Sequence, residues 1–161
     1  MKKYVFTLLL LLVCHLGYGQ SIDGLFNEFG SERNADCVNV SPFLMSIGKM
    51  FAGRQEGGEI AGKIKSMRVL DLEGCSANVK ERFNNRVGKL NINGYDELMR
   101  VNDDGEKVRV LMKIKKEVIR ELLLVCTGNE DCTLIQINGK FTKDDIDKLV
   151  NQETGKKNGR R

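Results

Sequence analysis

Residues 98–139 read LMRVNDDGEKVRVLMKIKKEVIRELLLVCTGNEDCTLIQING, and three polar turn signals divide them into four apolar stretches. The first signal is NDDG at residues 102–105, in which Asp-Gly supplies the positive φ that a tight hairpin turn needs. The second is KE at residues 116–117, and the third is TGNED at residues 127–131. Because strands joined by such short turns pair in antiparallel order, this stretch predicts a four-stranded antiparallel meander.

The strands of this meander differ in whether one or both of their sides are expected to pack against other parts of the protein. The second strand alternates between apolar and basic residues, which is typical of a strand with one side in water. The third strand, Val118 to Cys126, contains four consecutive aliphatic residues and is predicted to be covered on both sides. The fourth, Thr133 to Gly139, alternates again. In the second strand the apolar residues are Val108, Val110, Met112 and Ile114, and the basic ones are Arg109, Lys113 and Lys115.

Four helices are predicted around these strands from apolar residues at helical spacing. The first covers residues 22–29, and the third runs over residues 76–90. The second follows Ser41-Pro42, because a Ser N-cap and a Pro at the first helical position favour a helix start. The last begins at Thr142, which forms a short capping box with Asp145. The predicted inward residues are Ile22, Leu25, Phe26, Phe29; Phe43, Leu44, Ile47, Met50, Phe51; Val79, Phe83, Val87, Leu90; Ile146, Leu149 and Val150.

Two short strands, Cys37 to Val40 and Met67 to Leu72, precede the meander. The polar residues 54–63 between them are predicted as a loop or a short helix. Helices must cover an apolar face of the sheet. We therefore predict a single α+β domain over residues 20–152, with a mostly antiparallel twisted sheet, a C-terminal four-strand meander and helices packed on one face. Residues 153–161 are predicted to be a basic disordered tail.

Residues 1–19 (MKKYVFTLLLLLVCHLGYG) are predicted to be a secretory signal peptide that lies outside the fold. Two lysines open the segment, an apolar run follows, and Gly17 and Gly19 place small residues before a cleavage site. The alternative, a membrane anchor, needs about 20 apolar residues, more than this run provides. Lipidation at Cys14 is disfavoured because no small residue precedes it. We expect cleavage after Gly19, a location in the periplasm or cell envelope, and no transmembrane segment in the mature chain.

The charge of the chain argues against nucleic acid as a partner. The formal net charge is +4 at pH 7. The predicted signal peptide holds two of the cations, and the tail holds four more: Lys156, Lys157, Arg160 and Arg161. The remaining body therefore has no basic excess to bind phosphates. The expected partner is an unidentified envelope protein or ligand.

Histidine chemistry is absent from the predicted mature chain. The single histidine, His15, lies in the predicted signal peptide. This excludes Ser-His-Asp and Cys-His catalysis and His-ligated zinc from the mature chain. Residues 102–106 resemble part of a calcium loop but lack its alternate ligands, so a hairpin turn is favoured. We predict no catalytic, cofactor-binding or metal-ligating residue, and we expect no cofactor.

Four cysteines remain after residue 19, and an exported chain with an even number invites disulfides. Cys126 and Cys132 flank the third turn of the meander, so we predict a disulfide between them. The alternatives are two free, half-buried thiols, or a zinc site of four thiolates that the lack of a C-x-x-C pair disfavours. Cys37 and Cys75 are expected to be free, although antiparallel pairing of the two early strands would allow them to meet.

Four segments carry a family resemblance: residues 25–29 (LFNEF), 38–50 (VNVSPFLMSIGKM), 68–73 (RVLDLE) and 134–141 (LIQINGKF). With them the chain resembles an uncharacterised family of exported Bacteroidetes proteins, the domain of unknown function 4252. The resemblance spans about Ile22 to Val150. It implies an exported single-domain protein and supplies no active-site residue.

The functional expectation is a non-enzymatic binding or interaction module of the cell envelope. One alternative is an enzyme that uses carboxylates or Lys to act on envelope polymers. A cleft with two acids of raised pKa would favour it. A second alternative is a sensor component of an envelope regulatory system. A flat surface with an apolar patch would favour binding.

Overall fold

The computed structural model of this chain describes residues 21–42 and 58–148, which contain a six-stranded antiparallel sheet. Residues 143–148 are helical as well. In chain order the elements are α1 (Ile22–Phe29), β1 (Asp36–Val40), α2 (Gly58–Ala61), β2 (Ile64–Asp71), α3 (Ala77–Gly88), β3 (Asp96–Asp103), β4 (Glu106–Lys115), β5 (Val118–Thr127) and β6 (Thr133–Phe141). The order across the sheet is β1-β2-β6-β5-β4-β3. The predicted α+β class is confirmed.

The last four strands form the predicted meander, since each of them pairs with the next in antiparallel order. The first turn places Asp104 at φ 42° and Gly105 at φ 89°. The second places Lys116 at φ 52° and Glu117 at φ 61°. Both turns therefore have the positive φ values that match the twist of a tight hairpin. The meander joins the β1–β2 pair through β6 and β2.

The main hydrophobic core lies between α1, α3 and one face of the sheet, which we call the helix-bearing face. The Ser21 side chain caps α1 by accepting a hydrogen bond from the Gly24 amide, and Gly30 ends the helix as predicted. Leu111 and Leu123 are opposite each other in the sheet and are fully buried. Other fully buried residues of this core are Leu25, Phe29, Leu70, Leu72, Phe83 and Leu134.

The side of β4 that meets the helices differs from the prediction. Leu111 is fully buried on the helix-bearing face. Arg109 and Lys113 are two residues away from it on either side, so they share that face. Val110 and Met112 therefore lie on the opposite face, where both are half-buried. The predicted water-facing side of β4 is thus wrong, because a single leucine among the basic residues enters the core.

A second, smaller cluster lies on the opposite face of the sheet. Its buried residues are Ile119, Phe141 and Ile146, and Ile60 of α2 packs against them. Thr142 and Asp145 form the predicted capping box: the Thr142 amide donates to Asp145 Oδ2 at 2.7 Å, and the Asp145 amide donates to Thr142 Oγ1 at 3.3 Å.

Several predictions fall outside the described residues. They are the signal peptide over residues 1–19, the helix over residues 43–51 and the tail over residues 153–161. Within residues 21–42 and 58–148, no helix has both the length and the apolar character to cross a membrane.

Candidate functional site

Cys126 and Cys132 do not form the predicted disulfide, and both are free thiols. β5 and β6 pair as expected, but Cys126 stands opposite Thr133. Cys126 follows Val125, which belongs to the helix-side core, so its own side chain points to the other face. The Cys132 thiol lies on the helix side, 3.3 Å from Asn84 Oδ1 of α3. The two sulfurs therefore lie on opposite sides of the hairpin, which explains the absence of the bridge.

Cys37 and Cys75 are also free, although β1 and β2 are antiparallel. Cys37 is exposed on β1 opposite Leu70. Cys75 is buried and donates to the Arg33 carbonyl at 3.5 Å. Burial raises the pKa of the Cys75, Cys126 and Cys132 thiols. A raised pKa lowers the thiolate fraction, so these three suit packing rather than nucleophilic chemistry.

The strand β3 is an open edge of the sheet, and all eight of its residues are exposed. Within residues 21–42 and 58–148 no strand pairs with its outer edge, so its outward N–H and C=O groups have no partner in the described sheet. Within the described part of the chain, the exposed large apolar residues are Leu98, Met99 and Val101 of β3 and Val38 of β1. Exposure reaches 47% for Met99 and 43% for Val101. The two edges of the sheet therefore hold the exposed apolar side chains.

An apolar row on the face opposite the α1–α3 layer connects these two edges. None of its members is fully buried. Strand alternation places the whole row on one face. The row therefore forms a continuous apolar surface, which we call the apolar face, and it ends in Met99 at the β3 edge. Its members, in register from β1 to β3, are Val38, Val69, Ile135, Leu124, Val110 and Met99.

The other face of the β3–β4 hairpin is charged. Glu97 accepts hydrogen bonds from Nε of Arg100 and from Nε of Arg109, both at 2.8 Å. These two hydrogen bonds lower the pKa of Glu97, so its carboxylate stays ionised and paired. A β-bulge between Glu97 and Met99 interrupts the pairing of β3 with β4.

A cavity of about 340 Å³ lies between α3, the β3–β4 hairpin and residues 127–129. Three of its lining residues are the cations Arg100, Lys107 and Arg109, and none is a carboxylate. Asn84 positions the wall opposite them, because its Nδ2 donates to the Gly128 carbonyl at 2.7 Å. The cavity is therefore basic, and most of its lining residues have polar side chains.

A polar network connects α1 to the meander at the other end of the helix layer. Tyr95 Oη donates to Glu121 Oε1 at 2.6 Å, and Gln136 Nε2 donates to the same oxygen. Arg68 Nε donates to Gln136 Oε1 at 2.8 Å, and its guanidinium also pairs with Asp23 of α1. Burial, together with the hydrogen bond to Glu121, raises the pKa of Tyr95. The network is consistent with a structural link between the helix and the sheet.

The carboxylates with shifted pKa values do not match the pattern that would favour an enzyme. The pKa of Glu97 is lowered, and that of Asp145 is lowered to about 2, mainly by the hydrogen bond from Lys63 Nζ at 2.6 Å. A general acid at neutral pH needs a raised value instead. Within the described ranges, no group of three or more Cys, Asp and Glu side chains is placed to hold a metal ion.

The cavity residues were missed by the sequence analysis. Asn84, Arg109 and Asn129 come from three separate segments, and no motif connects them. The alternation of β4 identified Arg109 as one of its basic residues. It did not show that the Arg109 side chain lies on the side of the sheet that carries α3.

Comparison with known proteins connects this chain to a protein family. The family model described as domain of unknown function (DUF4252) matches residues 29–149, which is more than half of the chain. No curated protein and no solved structure matches significantly.

Proposed function

Because this chain belongs to the DUF4252 family, whose description assigns no activity, we propose a function from its surface: an exported cell-envelope protein that binds a partner at the β3 edge and is not an enzyme. The observation that carries this proposal is that all eight residues of β3 are exposed at the open edge of the sheet. An extended peptide can add to such an edge through backbone hydrogen bonds.

The side chains of β3 favour a partner with an apolar face. Met99 and Val101 lie on the same side of β3, at the end of the apolar face. Both are about half exposed, so covering each contributes roughly 1 kcal/mol. Since backbone pairing adds to this, a short extended segment can bind without a deep groove.

The segment at the start of the sequence supports export to the envelope. A lysine pair, an apolar run and small residues at Gly17 and Gly19 match the pattern of a cleaved signal. Intact mass of the protein recovered from an envelope fraction tests this, and the expected chain begins at Gln20. A chain that retains residues 1–19, or one diacylated at Cys14, contradicts the proposal of a cleaved signal.

Binding at β3 is tested by affinity capture from an envelope extract with three forms of the mature chain. These are the natural sequence, Val101→Lys on β3 and the matched control Val38→Lys on β1. We expect the recovered partner to fall by about tenfold or more with Val101→Lys, since a charge then replaces apolar contact, and to persist with Val38→Lys. Equal recovery with all three forms contradicts binding at β3.

A sensor role would give the same loss at β3, but the recovered partner would be a component of a regulatory system. Identification of that partner by mass spectrometry separates this alternative from simple binding.

A further inference from the structure

We propose that the cavity between α3 and the β3–β4 hairpin binds a small ligand with anionic oxygens, carried by a phosphate or a carboxylate group. This site is distinct from the β3 edge, because the cavity lies on the helix-bearing face of the hairpin. Its volume of about 340 Å³ lies at the small end of the range of ligand pockets.

The charge balance of the cavity favours an anion. Arg100, Lys107 and Arg109 line it, and the neighbouring carboxylate of Glu97 offsets one of these three charges. The C-terminal turn of α3, with Val87 and Gly88, also lines the cavity. A helix C-terminus carries about half a negative charge. The Glu106 carboxylate also lies beside Gly128, where its Oε1 accepts from the Glu130 amide at 3.4 Å. The three cations therefore exceed the nearby negative charge by about half a unit.

The cations are held ready for a ligand by contacts within the protein. Glu97 engages Nε of both arginines and fixes their guanidinium groups. Among the described residues, the terminal nitrogens of Arg109 make no hydrogen bond, and Lys107 makes no ion pair. Guanidinium and ammonium groups form their strongest hydrogen bonds with anionic oxygens. These donors are therefore suited to a phosphate or a carboxylate.

The opposite wall supplies polar groups at fixed positions. The hydrogen bond from Asn84 to the Gly128 carbonyl holds residues 127–129 against α3. Asn102 and Asn129 line the cavity from β3 and from this turn. Their amide groups are additional hydrogen-bond donors for the ligand. Asn102 lies beside the cations, opposite Lys107, and Asn129 lies on the other side, so amides on both sides of the cavity add to the cations in orienting an anionic group.

The test is a titration of the ¹⁵N-labelled mature chain, followed by amide chemical shifts at constant ionic strength. The two probes are inorganic phosphate and glutarate, a small dicarboxylate. We expect saturable shifts at Gly105, Lys107, Gly128 and Asn129 with at least one probe. The variant Lys107→Gln/Arg109→Gln should weaken the Kd by about tenfold or more, since two charged hydrogen-bond donors are lost. The control Lys65→Gln/Lys115→Gln, with both exposed lysines outside the cavity, should leave the Kd unchanged.

The outcomes separate the ligand classes. Saturation by phosphate alone supports a phosphate-bearing ligand, and saturation by glutarate alone supports a carboxylate. Saturation by both supports a site for anionic oxygens in general. Linear shifts with both probes overturn the proposal, and so does a Kd that the cavity variant leaves unchanged. If the double variant does not fold, Lys107→Gln alone, at an exposed position, repeats the comparison.

Discussion

Phe29 of α1 and Phe83 of α3 pack edge to face, with ring centroids 5.4 Å apart and ring planes at 86°. Both rings are fully buried between the two helices and the sheet. At the surface above them, Glu28 of α1 pairs with Arg86 of α3. The aromatic pair therefore connects the two helices of the layer, and through α3 it positions the wall of the basic cavity.

Replacing Phe83 with alanine tests the importance of this pair. Phe83→Ala removes a fully buried ring and leaves a cavity, which typically costs about 3–5 kcal/mol. We expect a loss of that size in the free energy of unfolding, measured by urea titration of the mature chain. Asn85→Ala, at an exposed position of the same helix, is the control and should change the value by less than about 0.5 kcal/mol. A loss of less than about 1 kcal/mol for Phe83→Ala would contradict the packing described.

The local architecture was predictable because turn chemistry acts between near neighbours. The positive φ values at Asp104 and Gly105 follow from an Asp-Gly pair, and the capping box at Thr142 follows from the Asp three residues later. The helical spacing that ends at Phe29 likewise predicted α1 to its last residue.

The side of the sheet on which each strand side chain lies, and the long-range contacts, could not be predicted in the same way. Strand alternation does not show which side of a strand packs against the helices. The basic residues of β4 predicted that their side faces water, but Leu111 on that side is buried in the core. A shift of one residue reverses the face of a side chain. This is why Cys126 and Cys132, although close in sequence, do not meet. The pairing of β2 with β6 and the assembly of Asn84 with Arg109 depend on the whole fold.

The thiols should differ in reactivity according to their burial. Cys37 is exposed, and we expect iodoacetamide to modify it rapidly in the folded mature chain. Cys132 is fully buried with a raised pKa, so its modification should await unfolding. Peptide mapping after alkylation under non-reducing conditions measures both, and Cys37→Ser should remove the rapid reaction. A recovered Cys126–Cys132 cystine would contradict the placement of the two thiols on opposite sides.

Asp145 should make stability depend on pH in the acid range. Its pKa is lowered to about 2 by Lys63 and by the hydrogen bonds from Thr142. A carboxyl group whose pKa is lower in the folded state stabilises the fold at pH values above its unfolded pKa of about 3.9. This contribution is lost as the pH falls towards 2. Urea unfolding between pH 5 and 2 should therefore show a shallower decline for Asp145→Asn than for the natural chain. The exposed neighbour Asp144 provides the control, since Asp144→Asn should keep the natural slope. Parallel slopes for Asp145→Asn and the natural chain would contradict the ion pair between Asp145 and Lys63.

Tyr95 should remain protonated at alkaline pH for as long as the protein is folded. It is the only tyrosine after residue 19, so the phenolate absorbance of the mature chain reports on it alone. Burial and the hydrogen bond to Glu121 raise its pKa above the ordinary value of about 10. A group whose pKa is raised in the folded state stabilises the fold fully at pH values below its ordinary pKa. This contribution is lost as the pH rises through the folded pKa. We expect the phenolate band to appear only together with unfolding, followed in parallel by circular dichroism. Glu121→Gln should bring ionisation to a lower pH by removing the negative charge beside the hydroxyl, whereas Glu81→Gln on the exposed side of α3 should not. Ionisation near pH 10 in the still folded natural chain would show that Tyr95 is not held by Glu121.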